Sequence, residues 1–329
     1  MRRAKIVCTL GPATAGPGVL EELVSAGMDV ARINLSHGNY SDHQAALDAV
    51  RPATDVTGRG VAVLADLQGP KIRLRRFGNG PVMLEVGANF TITTDACVGD
   101  VNRCSTTYAG MAQDVRPEDL LLVDDGKILL RVDHVDGNDI VTEVLEGGIV
   151  SDNKGINMPG VGVSVPALAE KDIDDLRWAL RAGTDLVALS FVRSAADIAD
   201  VHAVMDEVGI RVPVLAKIEK PQAVDNLADI IAAFDGVMVA RGDLGVELPI
   251  EQVPLVQKQA ISMCRNVGKP VIVATQMLDS MVTARRPTRA EASDVANAVL
   301  DGADALMLSA ETRVGDHPVT VVETMARII

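Results

Sequence analysis

The stretch 214–243, VLAKIEKPQAVDNLADIIAAFDGVMVARGD, decides the reading of this chain. It opens on an apolar run (214–218), crosses a segment of helical length, and closes on a second apolar run (237–240). Runs of the same texture stand at 5–10, 30–35, 61–66, 186–191, 271–275 and 305–309, which makes eight. Near-continuous apolar runs of this length are what parallel strands buried on both faces require. The intervening segments carry a helical period. Leu20, Leu23 and Val24 precede Gly27; Ile173, Leu176 and Leu180 precede Gly183; Ile198, Val201, Met205 and Val208 precede Gly209. Thr288 and Glu291 have the spacing of a capping box that opens a helix through Val299. The alternation fits a doubly wound open sheet as well. The count of eight favours closure, so the expected fold is α/β, a (β/α)8 TIM barrel.

The third unit is interrupted. Between Asp66 and Glu170 the helical period vanishes, and short alternating runs (82–86, 90–94, 120–123, 128–132, 140–143) are separated by Gly, Asn and Asp. VDDG at 123–126 and VDGND at 135–139 have turn chemistry. This predicts a small all-β domain inserted after strand 3, with stiff edges at Gly69-Pro70 and Val165-Pro166. The expected division is barrel at 1–69, inserted domain at 70–166 and barrel again at 167–329.

Composition narrows the function. The 329 residues carry 31 Lys and Arg against 45 Asp and Glu, a formal charge of −14. Nucleic-acid binding needs an excess of basic residues on one face, so it is not expected. With 48% hydrophobic and 23% charged residues the chain has the balance of a folded globular protein, and with 2% aromatics its core must be aliphatic. The apolar run after the basic start ends at Gly11-Pro12, too short for a signal-peptide core. The longest uncharged stretch, 155–169, is broken by Gly and Pro, so no membrane span is expected. Four scattered cysteines without a CxxC read as reduced thiols of a cytoplasmic protein.

In barrels of this kind the chemistry sits at the C-terminal strand ends. There the sequence delivers Thr9; Arg32, Asn34, Ser36 and His37; Asp66; Ser190 with Arg193; Lys217 and Glu219; Arg241, Gly242 and Asp243; Thr275; and Ser309 with Glu311. Lys217 and Glu219 are two apart and share a face of their strand. Taken alone they also read as a plain ion pair. With Asp243 on the next strand, Glu219 makes a two-carboxylate half-shell suited to Mg²⁺, which leaves its other positions to water and substrate oxygens. Lys217 then suits the neutralisation of a migrating anion. Arg32, Lys71, Arg73, Lys154 and Arg241 add cations at strand ends or domain edges.

VARINLSHG (30–38), ADLQGPKIR (65–73), NKGINMPG (153–160), LAKIEKPQAV (215–224), VMVARGDLGVELP (237–249), VATQMLDSM (273–281) and PTRAEASDVANAV (287–299) together resemble pyruvate kinase, in order and along essentially the whole chain. The wording is similar to actinobacterial members. The resemblance implies Mg²⁺-dependent transfer (Mn²⁺ being the alternative ion) of the phosphoryl group of phosphoenolpyruvate to ADP. Pyruvate and ATP are the products, and the reaction is the last step of glycolysis. It implies Glu219 and Asp243 as metal ligands, Lys217 as the lysine that stabilises the phosphoryl group in flight, and Arg32 as its arginine. It places the pyruvate moiety at the backbone of Arg241, Gly242 and Asp243 and at the Thr275 hydroxyl. Nucleotide phosphates fall to Asn34, His37, Arg73 and Lys154, the inserted domain acting as a lid that excludes water. A homo-oligomer is also implied.

The sequence departs from the family pattern in three places. Of the usual K⁺ ligands, Asn34, Ser36 and Asp66 are here, but Leu67 replaces a threonine. The resemblance is therefore to the K⁺-independent branch, with the Lys71 ammonium in the role of the ion. Ala310 replaces a usual glycine. The sequence stops at Ile329, where family members continue into a C-terminal domain with effector and interface roles, so allosteric regulation is not expected of these residues. Two other readings stand beside this one. One is a Mg²⁺-dependent pyruvate-enolate lyase or aldolase on the same barrel; the other is a catalytically silent truncated barrel.

Overall fold

A computed structural model describes residues 2–162 and 164–329 of the protein. All eight apolar runs are strands: Lys5–Thr9, Val30–Asn34, Ala62–Asp66, Leu186–Leu189, Val214–Ile218, Gly236–Ala240, Val271–Ala274 and Ala305–Leu308. They pair in parallel, each with its sequence neighbours, and the first pairs with the last, so the sheet closes. The third and fourth strands pair directly, with Ala188 beside Asp66, although more than a hundred residues separate them in sequence. Strand ends fall one or two residues short of the apolar runs where a strand-end residue turns out of the ladder. Phe191 has φ 55° and Thr275 φ 70°.

The barrel interior is a layer of Val7, Leu64, Ala188, Leu215, Met238, Ile272, Ala305 and Met307, with Ala274 above it. Aliphatic side chains and methionine fill it, with no aromatic among them. Helices pack outside. Gly27 and Gly183 end the helices Val19–Ala26 and Glu170–Ala182 with positive φ (133° and 82°), a conformation glycine adopts without steric cost. The capping box of Thr288 and Glu291 forms at the start of Arg289–Asp301. In Glu170–Ala182 the packed face is mixed. Leu176 and Leu180 are buried, but Ile173 is only half-buried, and the acids Asp172 and Asp175 are buried instead. Their carboxylates have local partners, which lets them displace an apolar residue from the packed face.

By its internal contacts the chain forms two compact units. One comprises Met1–Gly69, Ala167–Leu244 and Glu251–Ile329; the other comprises Pro70–Pro166 with Gly245–Ile250. The second unit holds a two-stranded sheet (Val82–Leu84 with Gly148–Val150) and a six-stranded sheet. The six run in the order Ile156–Asn157, Leu120–Val123, Ile128–Asp136, Asp139–Glu146, Asn89–Thr93, Arg103–Ser105. Phe77, Phe90, Ile92, Leu121, Leu130 and Ile140 are part of its own core. Two strands run longer than their apolar runs. Ile128–Asp136 and Asp139–Glu146 pair through polar exposed residues to a tight turn at Gly137-Asn138. Three short strands (Arg103–Ser105, Gly148–Val150, Ile156–Asn157) escape the sequence reading because two or three residues display no period. Among the described residues no helix is long and apolar enough to cross a membrane.

Candidate active site

Strand geometry builds the site directly on the barrel core. Side chains two apart share a face. One step of two beyond the interior layer therefore turns Val7 into Thr9, Val30 into Arg32, Leu64 into Asp66, Ala188 into Ser190 and Leu215 into Lys217. A further step reaches Glu219. All six polar residues are buried, and Asp66, Ser190 and Glu219 are each only 1% exposed.

Lys217 is the hub. Its Nζ donates to Ser190 Oγ at 2.7 Å and lies 2.8 Å from Glu219 Oε1 and 3.2 Å from Asp66 Oδ1. Arg32 donates through Nε to Asp66 Oδ2 at 2.6 Å and through Nη1 to Thr9 Oγ1 at 2.9 Å. Among the described residues nothing takes its Nη2. Glu219 Oε2 accepts the Phe191 N–H at 2.7 Å. The ion pair that the KIE spacing allows is thus present, but it belongs to a larger cluster. Asp66 Oδ1 and Glu219 Oε1 are buried without a well-directed hydrogen bond.

Electrostatics follows from this packing. Burial pushes the Asp66 carboxyl up, but the Lys217 ammonium and the Arg32 guanidinium outweigh it and hold Asp66 below its usual value. Burial pushes Lys217 down; Asp66, Glu219 and Asp243 outweigh it, so the ammonium is held well above its usual value and stays charged. Glu219 goes the other way. Burial and the Asp243 charge raise it despite Lys217.

The donor set fits a divalent cation. Glu219 has a buried oxygen with no directed donor, and the charge of Asp243, half-buried, acts on both Glu219 and Lys217. Among the described residues no cluster of three or more His, Cys, Asp or Glu gathers to hold a metal. Two carboxylates with open positions suit Mg²⁺, not a closed structural site.

The sixth strand runs straight into a short helix, Arg241–Glu247, where the sequence reading had a plain strand end. The Arg241 side chain is turned away into structure. It donates to Asp294 Oδ2 at 2.7 Å and to the carbonyls of Thr275 (2.6 Å) and Gln276 (3.3 Å). Its grip lies on the segment where Thr275 and Gln276 hold φ of 70° and 51°. A β-branched residue there is strained by on the order of 1–3 kcal/mol. Thr275 Oγ1 accepts the Gly242 N–H at 2.7 Å, so two groups expected at one substrate moiety are joined to each other.

Asn34 and Asp66 are register partners on adjacent strands. Asn34 Oδ1 is committed to the Ser36 N–H at 3.1 Å. Asn34 and His37 line a cavity of about 690 Å³ between the 10–18 loop and the helix Tyr40–Thr57, with Pro12, His43 and Arg313. Where the sequence pattern leads one to expect a threonine, Leu67 is 1% exposed. The remaining expected residues lie in the second unit. Arg73 donates to the Asn153 carbonyl at 2.9 Å, Lys154 Nζ to Asp124 Oδ1 at 2.8 Å, and the Lys71 stem runs beside Gly155. Lys154 holds the Asp124 carboxyl below its usual value. Asp124 is a partner that sequence reasoning missed. So are the anchoring roles of Thr9, Ser190 and the Phe191 N–H; the step of two from the core layer is the signal that finds the first two.

Over residues 1–322 the sequence matches the family described as pyruvate kinase, barrel domain. It is 65% identical over 328 residues to the pyruvate kinase of Mycobacterium tuberculosis, spanning 100% of this chain and 70% of that protein. Against the pyruvate kinase of Corynebacterium efficiens the identity is 62%, over 100% of this chain and 69% of the relative. Against that of Geobacillus stearothermophilus it is 47%, over 99% and 56%. With a match that runs through barrel and insertion alike, and with identity at this level along its whole length, the chain belongs to the pyruvate kinase family.

Proposed function

We propose that this family member, a phosphotransferase, moves the phosphoryl group of phosphoenolpyruvate to ADP and yields pyruvate and ATP. The observation that carries the reading is the Lys217 ammonium, buried and held charged among Asp66, Glu219 and Ser190 at the mouth of the barrel. Phosphoryl transfer asks a protein mainly for alignment and charge neutralisation, and a fixed buried cation supplies the second.

In this reading Arg32 presents Nη2 to the substrate phosphate while Asp66 and Thr9 fix its other nitrogens. Lys217 neutralises the phosphoryl oxygens as the phosphorus–enol oxygen bond breaks and the bond to the terminal phosphate oxygen of ADP forms. Glu219 and Asp243 would hold Mg²⁺, or Mn²⁺ in its place, which when bound would supply further positive charge to the transfer. The Gly242 N–H and the Thr275 hydroxyl exchange their mutual bond for the substrate carboxylate. The enolate left behind takes a proton at carbon from water organised at Thr275. Asn34, His37, Arg73 and Lys154 serve the nucleotide phosphates.

K⁺ is not needed in this reading. Asp66 already has two cationic partners, Leu67 offers no hydroxyl, and Lys71 supplies the remaining charge. The functional domains are taken as 1–69 with 167–329, and 70–166. The four free cysteines support a reducing, cytoplasmic setting, and the family supports a homo-oligomer. The test is ATP formation from phosphoenolpyruvate and ADP with Mg²⁺ in buffer free of K⁺ and NH₄⁺. Turnover is expected. Silence with and without K⁺ overturns the reading, and rescue by K⁺ overturns only the role of Lys71.

A further inference from the structure

Asp172 is a buried carboxylate that the proposed chemistry does not use. It is the third residue of the helix Glu170–Ala182 and is 1% exposed. One oxygen accepts the Ala169 N–H at 3.0 Å, the usual reach of a third helical residue back to its cap. The other accepts the Gly69 N–H at 3.0 Å, a bond the helix has no need of. Gly69 is the last residue of the barrel unit before the insertion, and Ala169 stands two residues after that unit resumes. One carboxylate therefore holds both ends of the interrupted barrel chain. Burial raises its carboxyl in spite of the two donors, so a charge there carries a desolvation cost.

The bond to Gly69 leads back to Lys217. Gly69 has φ +71°, and a Cβ there would fall 2.6 Å from the Phe191 ring and 2.9 Å from Ser190 Cβ. Two residues earlier, the Leu67 N–H donates to the Ala188 carbonyl at 3.0 Å, and the Leu67 carbonyl accepts from Ser190 Oγ at 2.7 Å. That hydroxyl is the one that accepts from Lys217 Nζ. Phe191, against which Gly69 packs, gives its N–H to Glu219. Lys217, Ser190, Leu67, Gly69, Asp172 and Ala169 thus form one unbroken chain of hydrogen bonds and backbone.

We propose that Asp172 is a positioning residue that keeps both chain crossings of the inserted unit in register with the Ser190–Lys217 pair. The proposal rests on the reading of Lys217 as the group that stabilises the phosphoryl oxygens. Loss of the Gly69 bond frees the outgoing crossing and, through Leu67, the Ser190 anchor of Lys217.

The experiment compares Asp172→Asn with Asp175→Asn in the full chain. Asp175 sits on the same helix, equally buried, but binds Tyr40 Oη (2.8 Å) and Lys171. Thermal stability, kcat, the two KM values and tryptic cleavage after Lys71, just past the outgoing crossing, are measured for each. Cleavage there reads local opening of the crossing. Asp172→Asn is expected to lower kcat about tenfold, the loss of one hydrogen bond to a charged group, and to raise cleavage after Lys71 by a similar factor. Asp175→Asn is expected to lose stability alone. In a double-mutant cycle on kcat, Asp172→Asn and Ser190→Ala are expected to be non-additive. Unchanged kcat and cleavage in Asp172→Asn, the same changes in Asp175→Asn, or additivity in the cycle overturns the proposal. Should Asp172→Asn not fold, Ser190→Ala alone must raise cleavage after Lys71, and unchanged cleavage overturns the proposal again. If the wild-type chain makes no ATP, the reading of Lys217 fails while the cleavage comparison still tests the clamp.

Discussion

Replacing Lys217 with methionine separates the charge of this residue from its bulk. The wild-type ammonium lies between Glu219 at 2.8 Å and Asp66 at 3.2 Å, with Ser190 as its hydroxyl partner. In the variant Asp66 keeps Arg32 at 2.6 Å, whereas Glu219 keeps only the Phe191 N–H. Removing one partner of a buried pair destabilises by about 3–5 kcal/mol, because the other charge is left uncompensated. At roughly 2–4 °C per kcal/mol for a domain of this size, the midpoint of thermal unfolding falls by on the order of 10 °C. Adding Glu219→Gln removes the stranded charge, so much of that loss returns in the double variant. Activity behaves differently. A fixed cation on a transferring phosphoryl group contributes a factor of about 10³ or more, and neither the single nor the double variant recovers it. Calorimetry and a coupled assay of pyruvate formation check both. A midpoint that moves only a degree or two, or a double variant no more stable than the single, refutes the account of Lys217 as counter-ion. A kcat within tenfold of wild type refutes its role in transfer.

Three further outcomes follow from the same geometry. Lys71→Glu is expected to make turnover depend on K⁺, read by titrating KCl into an alkali-free assay; K⁺-free activity equal to wild type sinks the role of Lys71. Asp294→Ala removes the carboxylate 2.7 Å from Arg241, loosening the strained Thr275-Gln276 turn. The KM for phosphoenolpyruvate should rise about tenfold with a smaller change for ADP, and an equal change in both refutes it. Burial raises the Glu291 carboxyl, but donors from Ser280 and Thr288 outweigh burial and hold it below its usual value. A depressed carboxyl stabilises the fold above its unfolded pKa and loses that contribution as pH falls through its folded one. Glu291→Gln should therefore cost about 1 kcal/mol at pH 7 and progressively less below about pH 4.5, read from melting curves across pH; a pH-independent difference contradicts this.

The barrel was legible because each strand announces itself. Residues 237–240 are apolar throughout and 214–218 are apolar but for Lys217, which is the texture of a strand buried on both faces. Glycines after helical periods and the Thr288–Glu291 spacing gave the helix ends for equally local reasons. The inserted unit was legible as β, but not strand by strand. Ile156–Asn157 is recognisable only through its partner Leu120–Val123, and a two-residue strand has no pattern of its own. The helix Arg241–Glu247 was missed because RGDLGVE has two glycines and little helical period. The period of Ile173, Leu176 and Leu180 counts apolar residues and cannot foresee that Asp172 and Asp175 will find buried partners.

The same division explains which parts of the candidate site were visible. Lys217 and Glu219 are two apart on one strand, so their shared face is a local fact. That Lys217 also meets Asp66 and Ser190 depends on which strands become neighbours, since those residues come from the third and fourth strands, 124 positions apart in sequence (190 − 66). Closure determines that pairing, and closure is a property of all eight strands together. An inserted domain between the third and fourth strands leaves the pairing intact only if its two ends are brought back side by side. The Gly69 and Ala169 N–H groups meeting on one Asp172 carboxylate show how the barrel does so. The cation cluster and the insertion therefore share a structural dependency. Asp66 lies just before the outgoing crossing at Gly69, and Ser190 bonds the Leu67 carbonyl between them, so whatever secures that crossing also bears on the Lys217 cluster.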